Sequence, residues 1–238
     1  MTDLKEKHVV VVGGGSGIGR AVATAAREAG ARVTISSRDR AKLDRAAAEI
    51  GAAVAPVDMT DADAVAAWAE GLGPIDHLIV SASSAARGPF AELDISAVKA
   101  MFDAKFFGPY AVAKAALPKM REGGSITFFS GVLSRRPGTG ASGLAAVNAA
   151  VEGLSRALAK ELGPKLRVNT ISPGLTRSDA YAAMPEDARA KMYADVGAAL
   201  PVGRVGEVED VAAATLALAT NGFVTGVVFD VDGGHMVG

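Results

Sequence analysis

Near the start of the chain, a run of glycines stands where it could hold a phosphate. Val9–Val12 is β-branched and predicts a short buried strand, and Arg20–Arg27 favours a helix. Between them, Gly13–Gly19 (the glycine turn) lets the backbone approach an anion closely. At a helix N-terminus, free N–H groups and the helix dipole favour negative charge. The pattern predicts a dinucleotide phosphate site; an ordinary glycine turn is the alternative.

The end of the second predicted strand indicates which dinucleotide binds. Ser36, Ser37 and Arg38 follow the glycine turn by about 20 residues, where a dinucleotide fold meets the adenosine ribose. An acidic residue there would accept a hydrogen bond from the 2′-hydroxyl of NAD, whereas arginine can bind a 2′-phosphate through two N–H groups. We therefore expect NADP(H) as the cofactor, with a surface arginine in a turn as the alternative.

Two later strand ends carry residues suited to a cofactor. Asp58, followed by Met59, is free to face the adenine amino group if Thr60 or Asp61 caps the next helix. The fourth predicted strand ends in Ser81–Ser84, whose small side chains allow close approach of the backbone to a ligand.

Strands and helices alternate along the whole chain. The predicted strands are Val9–Val12, Arg32–Ser36, Val54–Val57, Ile75–Val80, Ser125–Phe129, Leu166–Ile171 and Val227–Val231. A long helix is predicted over Leu93–Met120, with a kink at Gly108 and Pro109. Right-handed crossovers between parallel strands then give an α/β fold: a single doubly wound, Rossmann-type parallel sheet with helices on both faces. We expect one dinucleotide-binding domain over residues 1–238, with a substrate flap at about 176–200.

The composition excludes several classes of protein. A net charge of −1 gives no basic field for nucleic acid or an anionic membrane surface. The absence of cysteine excludes disulfides and thiolate chemistry, and His8, His77 and His235 lack metal-ligand spacing. The chain has no signal-peptide pattern and no apolar run long enough to span a bilayer. We expect a cytoplasmic protein that binds no metal, nucleic acid or membrane.

These motifs resemble those of the short-chain dehydrogenase/reductase superfamily, and the resemblance covers the whole chain. The glycine turn matches the family's cofactor turn, with Val12 where a threonine is usual. Arg38 and Asp58 match the ribose-phosphate and adenine positions, and Val168–Gly174 matches the motif that closes over the nicotinamide. The residues expected to bind the cofactor are Gly13, Gly15, Ser16, Gly17, Ile18, Gly19, Ser37, Arg38, Asp58, Met59, Ala82, Ser83, Pro173, Gly174 and Thr176.

The family's catalytic residues are missing. Its Asn–Ser–Tyr–Lys set falls on Lys105, Gly131, Leu144 and Asn148. In the family the tyrosine is the general acid or base for a carbonyl or alcohol, and the lysine lowers its pKa and holds the ribose. Leucine cannot transfer a proton, so ordinary ketone reduction lacks its proton donor.

Several residues are candidates for a replacement chemistry. Lys105 and Asn148 look exchanged relative to the family, and we hypothesise that Lys105 reaches the ribose or the substrate; a surface lysine is the alternative. Arg135, beside Arg136, could polarise an oxygen or hold an anionic substrate; a solvated loop pair is the alternative. Asp179 could act as an acid or base, or cap the flap helix. Weak nucleophile candidates without an evident base are Ser130, Ser134 and Ser142.

The resemblance implies an NADP(H)-binding oxidoreductase with non-standard chemistry. An iminium ion needs no proton at the hydride step, and an activated C=C can take its proton from water, so both are candidate substrates. A catalytically silent NADP(H)-binding sensor or scaffold, or a cyclase-type protein, is the alternative. Methionines and tyrosines in the flap favour a small, apolar substrate. Family members are commonly dimers or tetramers, so we expect a homodimer or homotetramer.

Overall fold

The protein is described by a computed structural model over residues 3–81 and 84–237. Its strands are β1 (His8–Val12), β2 (Arg32–Ser36), β3 (Ala53–Val54), β4 (Ile75–Val80), β5 (Met120–Phe129), β6 (Arg167–Pro173), β7 (Thr176–Arg177), β8 (Gly206–Glu207) and β9 (Val228–Val231). Its α-helices are α1 (Gly17–Glu28), α2 (Arg40–Ile50), α3 (Ala62–Glu70), α4 (Ile95–Phe102), α5 (Gly108–Ala116), α6 (Ser142–Leu162), α7 (Glu186–Ala199) and α8 (Val208–Thr220).

Seven parallel strands form one sheet in the order β3-β2-β1-β4-β5-β6-β9. Successive side chains of a strand point to opposite faces, and β1 shows the consequence. Val9 and Val11 pack in one core cluster, which includes residues of α1, α2 and α8, while Val10 and Val12 pack in a second, which includes residues of α3, α5 and α6. The predicted fold class is therefore confirmed.

The third strand is shorter than predicted. β3 covers only Ala53–Val54, because Pro56 has no N–H group to continue the ladder. The chain still follows β2: the N–H of Ala55 donates to the carbonyl of Ile35, and that of Val57 to the carbonyl of Ser37. This path leads the chain to the carboxyl edge of the sheet.

The long helix predicted over Leu93–Met120 is interrupted. Between α4 and α5 lies one π-helical turn, Asp103–Phe107, and β5 already begins at Met120. Pro109, the second residue of α5, directly follows this turn, and both a proline and a π-helical turn are recognised causes of a kink in a helix. A Cβ on Gly108 would lie 2.8 Å from the Met59 Cβ, so this glycine allows the helix to pack against the segment after β3.

The predicted flap contains regular structure. It begins with β7, which pairs with β8, continues through a 3₁₀ turn at Asp179–Tyr181 and ends with α7. Asp179 lies in that turn and does not cap α7, whose N-cap is Pro185, so the predicted capping role is wrong. Within the described part of the chain, no helix is long and apolar enough to cross a membrane.

Candidate active site

A cleft of about 480 Å³ opens at the carboxyl ends of β1 and β2. Parallel α/β sheets bind ligands at this edge. Predicted cofactor residues that line the cleft are Gly13, Gly15, Ser16, Gly17, Ile18, Gly19, Ser37, Arg38, Asp58 and Met59. Ten of the fifteen predicted positions are therefore brought together around one cavity.

The glycine turn has the backbone geometry that a phosphate site needs. Gly13 and Gly17 adopt φ angles of 90° and 52°, a region that favours glycine. A Cβ on Gly19 would lie 2.2 Å from the Gly13 carbonyl oxygen, so only glycine lets α1 approach the strand end so closely.

The N-terminus of α1 is left open. Its N-cap residue, Ser16, makes no side-chain capping hydrogen bond, and the first turn carries no acidic residue. In contrast, Asp39 caps α2 by accepting from the Lys42 N–H, and Asp61 caps α3. The free N–H groups of α1 therefore suit an anionic ligand, as the pyrophosphate of a dinucleotide requires.

The ribose end of the cleft carries two cations. Arg38 makes no hydrogen bond or ion pair with any residue that the structure describes, so its guanidinium is available to a ligand. Lys42, which the sequence analysis missed, also lines the cleft, with its Nζ 3.8 Å from the Asp39 carboxylate. Ser36 was wrongly grouped with these residues, because its buried hydroxyl accepts from the Trp68 indole.

Asp58 lies in the cleft as expected, but Thr60 shares its carboxylate. One oxygen of Asp58 accepts from the Thr60 hydroxyl at 2.7 Å and from the Thr60 N–H at 2.9 Å. These bonds hold the pKa of Asp58 below its usual range, with a smaller contribution from Arg38. The lowered pKa keeps Asp58 charged. Because Asp61 provides the helix cap, the Asp58 carboxylate remains able to accept from a ligand donor.

Three other predicted cofactor residues, Pro173, Gly174 and Thr176, do not line this cleft. Gly174 donates its N–H to the Val231 carbonyl, and a Cβ on Gly174 would lie 2.9 Å from the Asp232 Cα. Thr176 donates its hydroxyl to the Gly174 carbonyl and so fixes the turn after Pro173. The predicted positions Ala82 and Ser83 lie outside the described residues.

Leu144, which the sequence analysis assigned to the family's tyrosine position, is part of a packed apolar cluster. It is 8% exposed and clusters with Met101 and Val147, and Ala86 and Leu133 pack against this cluster. Its side chain therefore belongs to the apolar core and carries no group that can transfer a proton.

Lys105 is buried rather than at the surface. The residue is 6% exposed, and its Nζ donates to the Ser130 carbonyl at 3.2 Å. Burial lowers the pKa of Lys105 to about 8. Asn148, 2% exposed, donates to the next carbonyl, that of Gly131, at 3.3 Å, and its Oδ1 has no partner among the described residues. The two residues that looked exchanged therefore meet at the carboxyl end of β5.

Glu152 is a functional candidate that the sequence analysis missed. It is 4% exposed and accepts hydrogen bonds from the hydroxyls of Ser130, at 3.1 Å, and Ser134, at 2.5 Å. It lies one helical turn after Asn148, and this spacing on α6 was the signal that could have revealed it. The two serines thus have an acceptor, which the sequence did not show.

Arg135 is held by the protein itself. Its guanidinium binds the Asp230 carboxylate and the Ser172 hydroxyl, and its Nε lies 3.8 Å from Glu152. The Asp230 hydrogen bond raises the pKa of Arg135 above its usual value. Arg136 donates to the His235 carbonyl. The predicted role of Arg135 toward the substrate stays a prediction, and the geometry shows that internal partners occupy its donors.

Two of the histidines, His8 and His77, are buried and bond to interior groups. His77 contacts the Ser125 hydroxyl at 2.9 Å, and burial lowers its pKa to about 4. His8 contacts the Pro74 carbonyl and the Thr34 hydroxyl. Among residues 3–81 and 84–237, no cluster of three or more His, Asp or Glu side chains is arranged to hold a metal ion.

Known proteins are similar to this chain in sequence. A family model described as enoyl-(acyl carrier protein) reductase matches residues 13–236. Galactitol 2-dehydrogenase (L-tagatose-forming) of Cereibacter sphaeroides is 37% identical over 243 residues, with 95% of this chain and 94% of that protein covered. A Xanthobacter autotrophicus protein named inactive 2-(S)-hydroxypropyl-CoM dehydrogenase 2 is 36% identical over 226 residues, with 90% and 98% covered.

A solved structure agrees with these relatives. A small-chain dehydrogenase in complex with NADPH is 39% identical, with a TM-score of 0.86 over 98% of this chain and 99% of that chain. The family model covers nearly all of this chain. The cleft of the chain is lined by the glycine turn, which suits the phosphates of a dinucleotide. The chain therefore belongs to the short-chain dehydrogenase/reductase superfamily, a family of NAD(P)-dependent oxidoreductases.

Proposed function

We propose that this chain is an NADPH-dependent reductase that acts on an imine, an iminium ion or an activated C=C bond rather than on a simple ketone. The observation that carries the proposal is the packing of Leu144 among Met101, Val147 and Leu133 where the family places its proton-donating tyrosine. A ketone becomes an alkoxide on hydride addition and needs that proton, whereas an iminium ion becomes a neutral amine without one.

The ribose end of the cleft supports NADP(H) over NAD(H). Arg38 is unpaired among the described residues, and Ser37 and Lys42 line the same cleft. The Ser37 hydroxyl borders the glycine turn, since a Cβ on Gly15 would lie 3.4 Å from it. A 2′-phosphate binds two cations and a hydroxyl well, and the structural relative at 39% identity was solved with NADPH.

The remaining chemistry falls to a few side chains. When bound, the cofactor supplies a hydride. The glycine turn and the open N-terminus of α1 bind its phosphates, and Asn148 presents an amide at the family's ribose-binding position. Lys105 supplies a positive charge at the end of β5.

A ring-matched substrate series tests the proposal. NADPH oxidation is followed at 340 nm with cyclohexanone, cyclohexenone and a six-membered cyclic imine. In a separate arm, NADP⁺ reduction is followed at 340 nm with galactitol, with the galactitol dehydrogenase relative as a positive control. We expect turnover of the imine or the enone and none of cyclohexanone or galactitol. Turnover of cyclohexanone at the highest rate would overturn the proposal.

A catalytically silent NADP(H)-binding protein, acting as a sensor, scaffold or cyclase-type protein, is the second candidate. It is favoured by the loss of all four catalytic positions and by the relative at 36% identity that is named inactive. Tight NADPH binding without oxidation in any arm of the substrate series would support this candidate.

We also propose that the chain forms a homodimer or homotetramer. Phe107 and Tyr110 are 57% and 45% exposed beside the start of α5, where a second copy could cover them. Light scattering after size-exclusion chromatography gives the mass directly, and a mass of one chain at micromolar concentration would contradict this expectation.

A further inference from the structure

Lys105 is a buried cation that the protein does not neutralise. Its Nζ donates to the Ser130 carbonyl, and none of the carboxylates that the structure describes forms an ion pair with it. Glu152 lies beyond Ser130, where hydroxyl groups and Arg135 surround its carboxylate. The ammonium therefore acts on its surroundings as a single positive charge in a medium of low dielectric constant.

The other ionisable groups near this turn lie at its outer surface. Asp103 is exposed on the same π-helical turn, Lys99 is exposed on α4, and Tyr110 and Lys114 are exposed on α5. From α6, Glu152 approaches the end of β5 but bonds the two serines. Burial is what lowers the pKa of Lys105 to about 8, so the side chain is mostly charged at pH 7.

The charge of Lys105 lies next to residues that line the cofactor cleft. Ala104, the preceding residue, lines the cofactor cleft together with Ser81 at the end of β4. Ser130 directly follows β5, the neighbouring strand. Asn148, at the family's ribose-binding position, bonds the adjacent carbonyl. Lys105 thus directly follows a residue that lines the cleft, and its Nζ lies at the carboxyl end of β5, on the same edge of the sheet at which the cleft opens.

We propose that Lys105 makes the site distinguish the two redox states of the nicotinamide, so that NADPH binds more tightly than NADP⁺. The oxidised ring carries a positive charge and the reduced ring carries none, so a buried ammonium repels only the oxidised form. At an effective dielectric constant of about 20, unit charges about 12 Å apart change an affinity by about tenfold. The site would then bind NADPH before the reaction and release NADP⁺ after it, as a reductase requires.

Binding measurements without substrate test this inference, which rests on the proposed NADP(H) site. Dissociation constants for NADPH and NADP⁺ are measured by calorimetry for the wild type, Lys105→Met and Lys114→Met. Methionine keeps the length of the side chain and removes the charge, and Lys114 is the exposed lysine matched for charge. We expect the wild type and Lys114→Met to favour NADPH by about tenfold or more, and Lys105→Met to lose about tenfold of that preference.

A pH series on the wild type gives a second readout that needs no variant. Raising the pH from 7 to 9 neutralises most of Lys105, so the preference for NADPH shrinks toward that of Lys105→Met. A preference that is absent in the wild type, or unchanged by both Lys105→Met and pH, overturns the inference. If Lys105→Met does not fold, the wild-type pH series decides alone.

The outcomes separate this inference from the proposed function. If neither form of the cofactor binds, both fail. If both forms bind with equal affinity while an imine or enone is reduced, the proposed function stands and the role of Lys105 in redox discrimination is wrong.

Discussion

Lys105 and Asn148 donate to consecutive carbonyls, those of Ser130 and Gly131, from two different helical segments. One comes from the π-helical turn between α4 and α5, and the other from α6. The resemblance assigns the family's asparagine and lysine to these two positions, so the amide and the cation stand exchanged relative to that assignment. The carboxyl end of β5 carries one buried cation and one buried amide.

This exchange predicts strong coupling between the two positions. We expect Asn148→Lys alone to lower the free energy of unfolding by about 3 kcal/mol or more, because it buries a second ammonium beside the same two carbonyls. The double variant Lys105→Asn/Asn148→Lys keeps one cation and one amide, so it should recover most of that loss. Urea unfolding followed by circular dichroism measures the free energy of unfolding of both variants. An Asn148→Lys variant as stable as the wild type would show that the two positions do not interact.

The lowered pKa of Lys105 predicts how stability depends on pH. Below pH 8 the side chain is charged in the folded and the unfolded chain, so the cost of burying the charge is present in full. Between pH 8 and 10.5 the unfolded chain holds the proton and the folded chain does not, so stability rises with pH. We expect a gain of about 3 kcal/mol over this window relative to Lys105→Met, measured by urea unfolding. Parallel pH profiles of the two proteins would contradict the burial of a charged Lys105.

We predict that Arg38 sets the preference for the phosphorylated cofactor. Arg38→Ala should weaken NADPH binding by about tenfold to a hundredfold and leave NADH binding within about twofold, because only NADPH carries the 2′-phosphate. Arg45→Ala, an exposed arginine one turn into α2, is the matched control and should change neither affinity. An equal loss of affinity for both cofactors in Arg38→Ala would mean that Arg38 does not contact the 2′-phosphate.

Glu152 holds the turn after β5 in place. Glu152→Ala leaves the Ser130 hydroxyl without its acceptor and Arg135 without one neighbouring carboxylate. The Ser134 hydroxyl loses the nearer of its two acceptors and keeps the Gly131 carbonyl at 3.1 Å. We expect a loss of about 2–4 kcal/mol in the free energy of unfolding. Glu161→Ala, on the exposed side of the same helix, should cost less than about 0.5 kcal/mol. Comparable losses in both variants, seen by thermal unfolding, would argue against the hydrogen-bond network.

The sequence predicted what local chemistry determines. The valine run and the glycine turn predict β1 and the start of α1, because φ angles and strand propensity are properties of neighbouring residues. A cap at the start of the helix after Asp58 was also recognisable, and Asp61 is that cap.

Positions that depend on packing between distant elements were not predictable in the same way. The burial of Lys105 follows from the π-helical turn and from the packing of α6, and neither leaves a pattern in the surrounding sequence. Glu152 and Lys42 face the site because of where whole helices dock, so their types alone did not mark them. Ser36 shows the reverse case, since a hydroxyl at the right distance along the chain points into the core toward Trp68.

The central claim, that a hydride reaches substrates needing no tyrosine, is tested most directly by tracing deuterium. NADPH labelled at the transferable C4 position of the nicotinamide is incubated with the protein and each member of the ring-matched series, and the products are examined by mass spectrometry. We predict deuterium in the amine from the cyclic imine or in the saturated ketone from cyclohexenone, and no labelled cyclohexanol. Labelled cyclohexanol as the main product would contradict the claim.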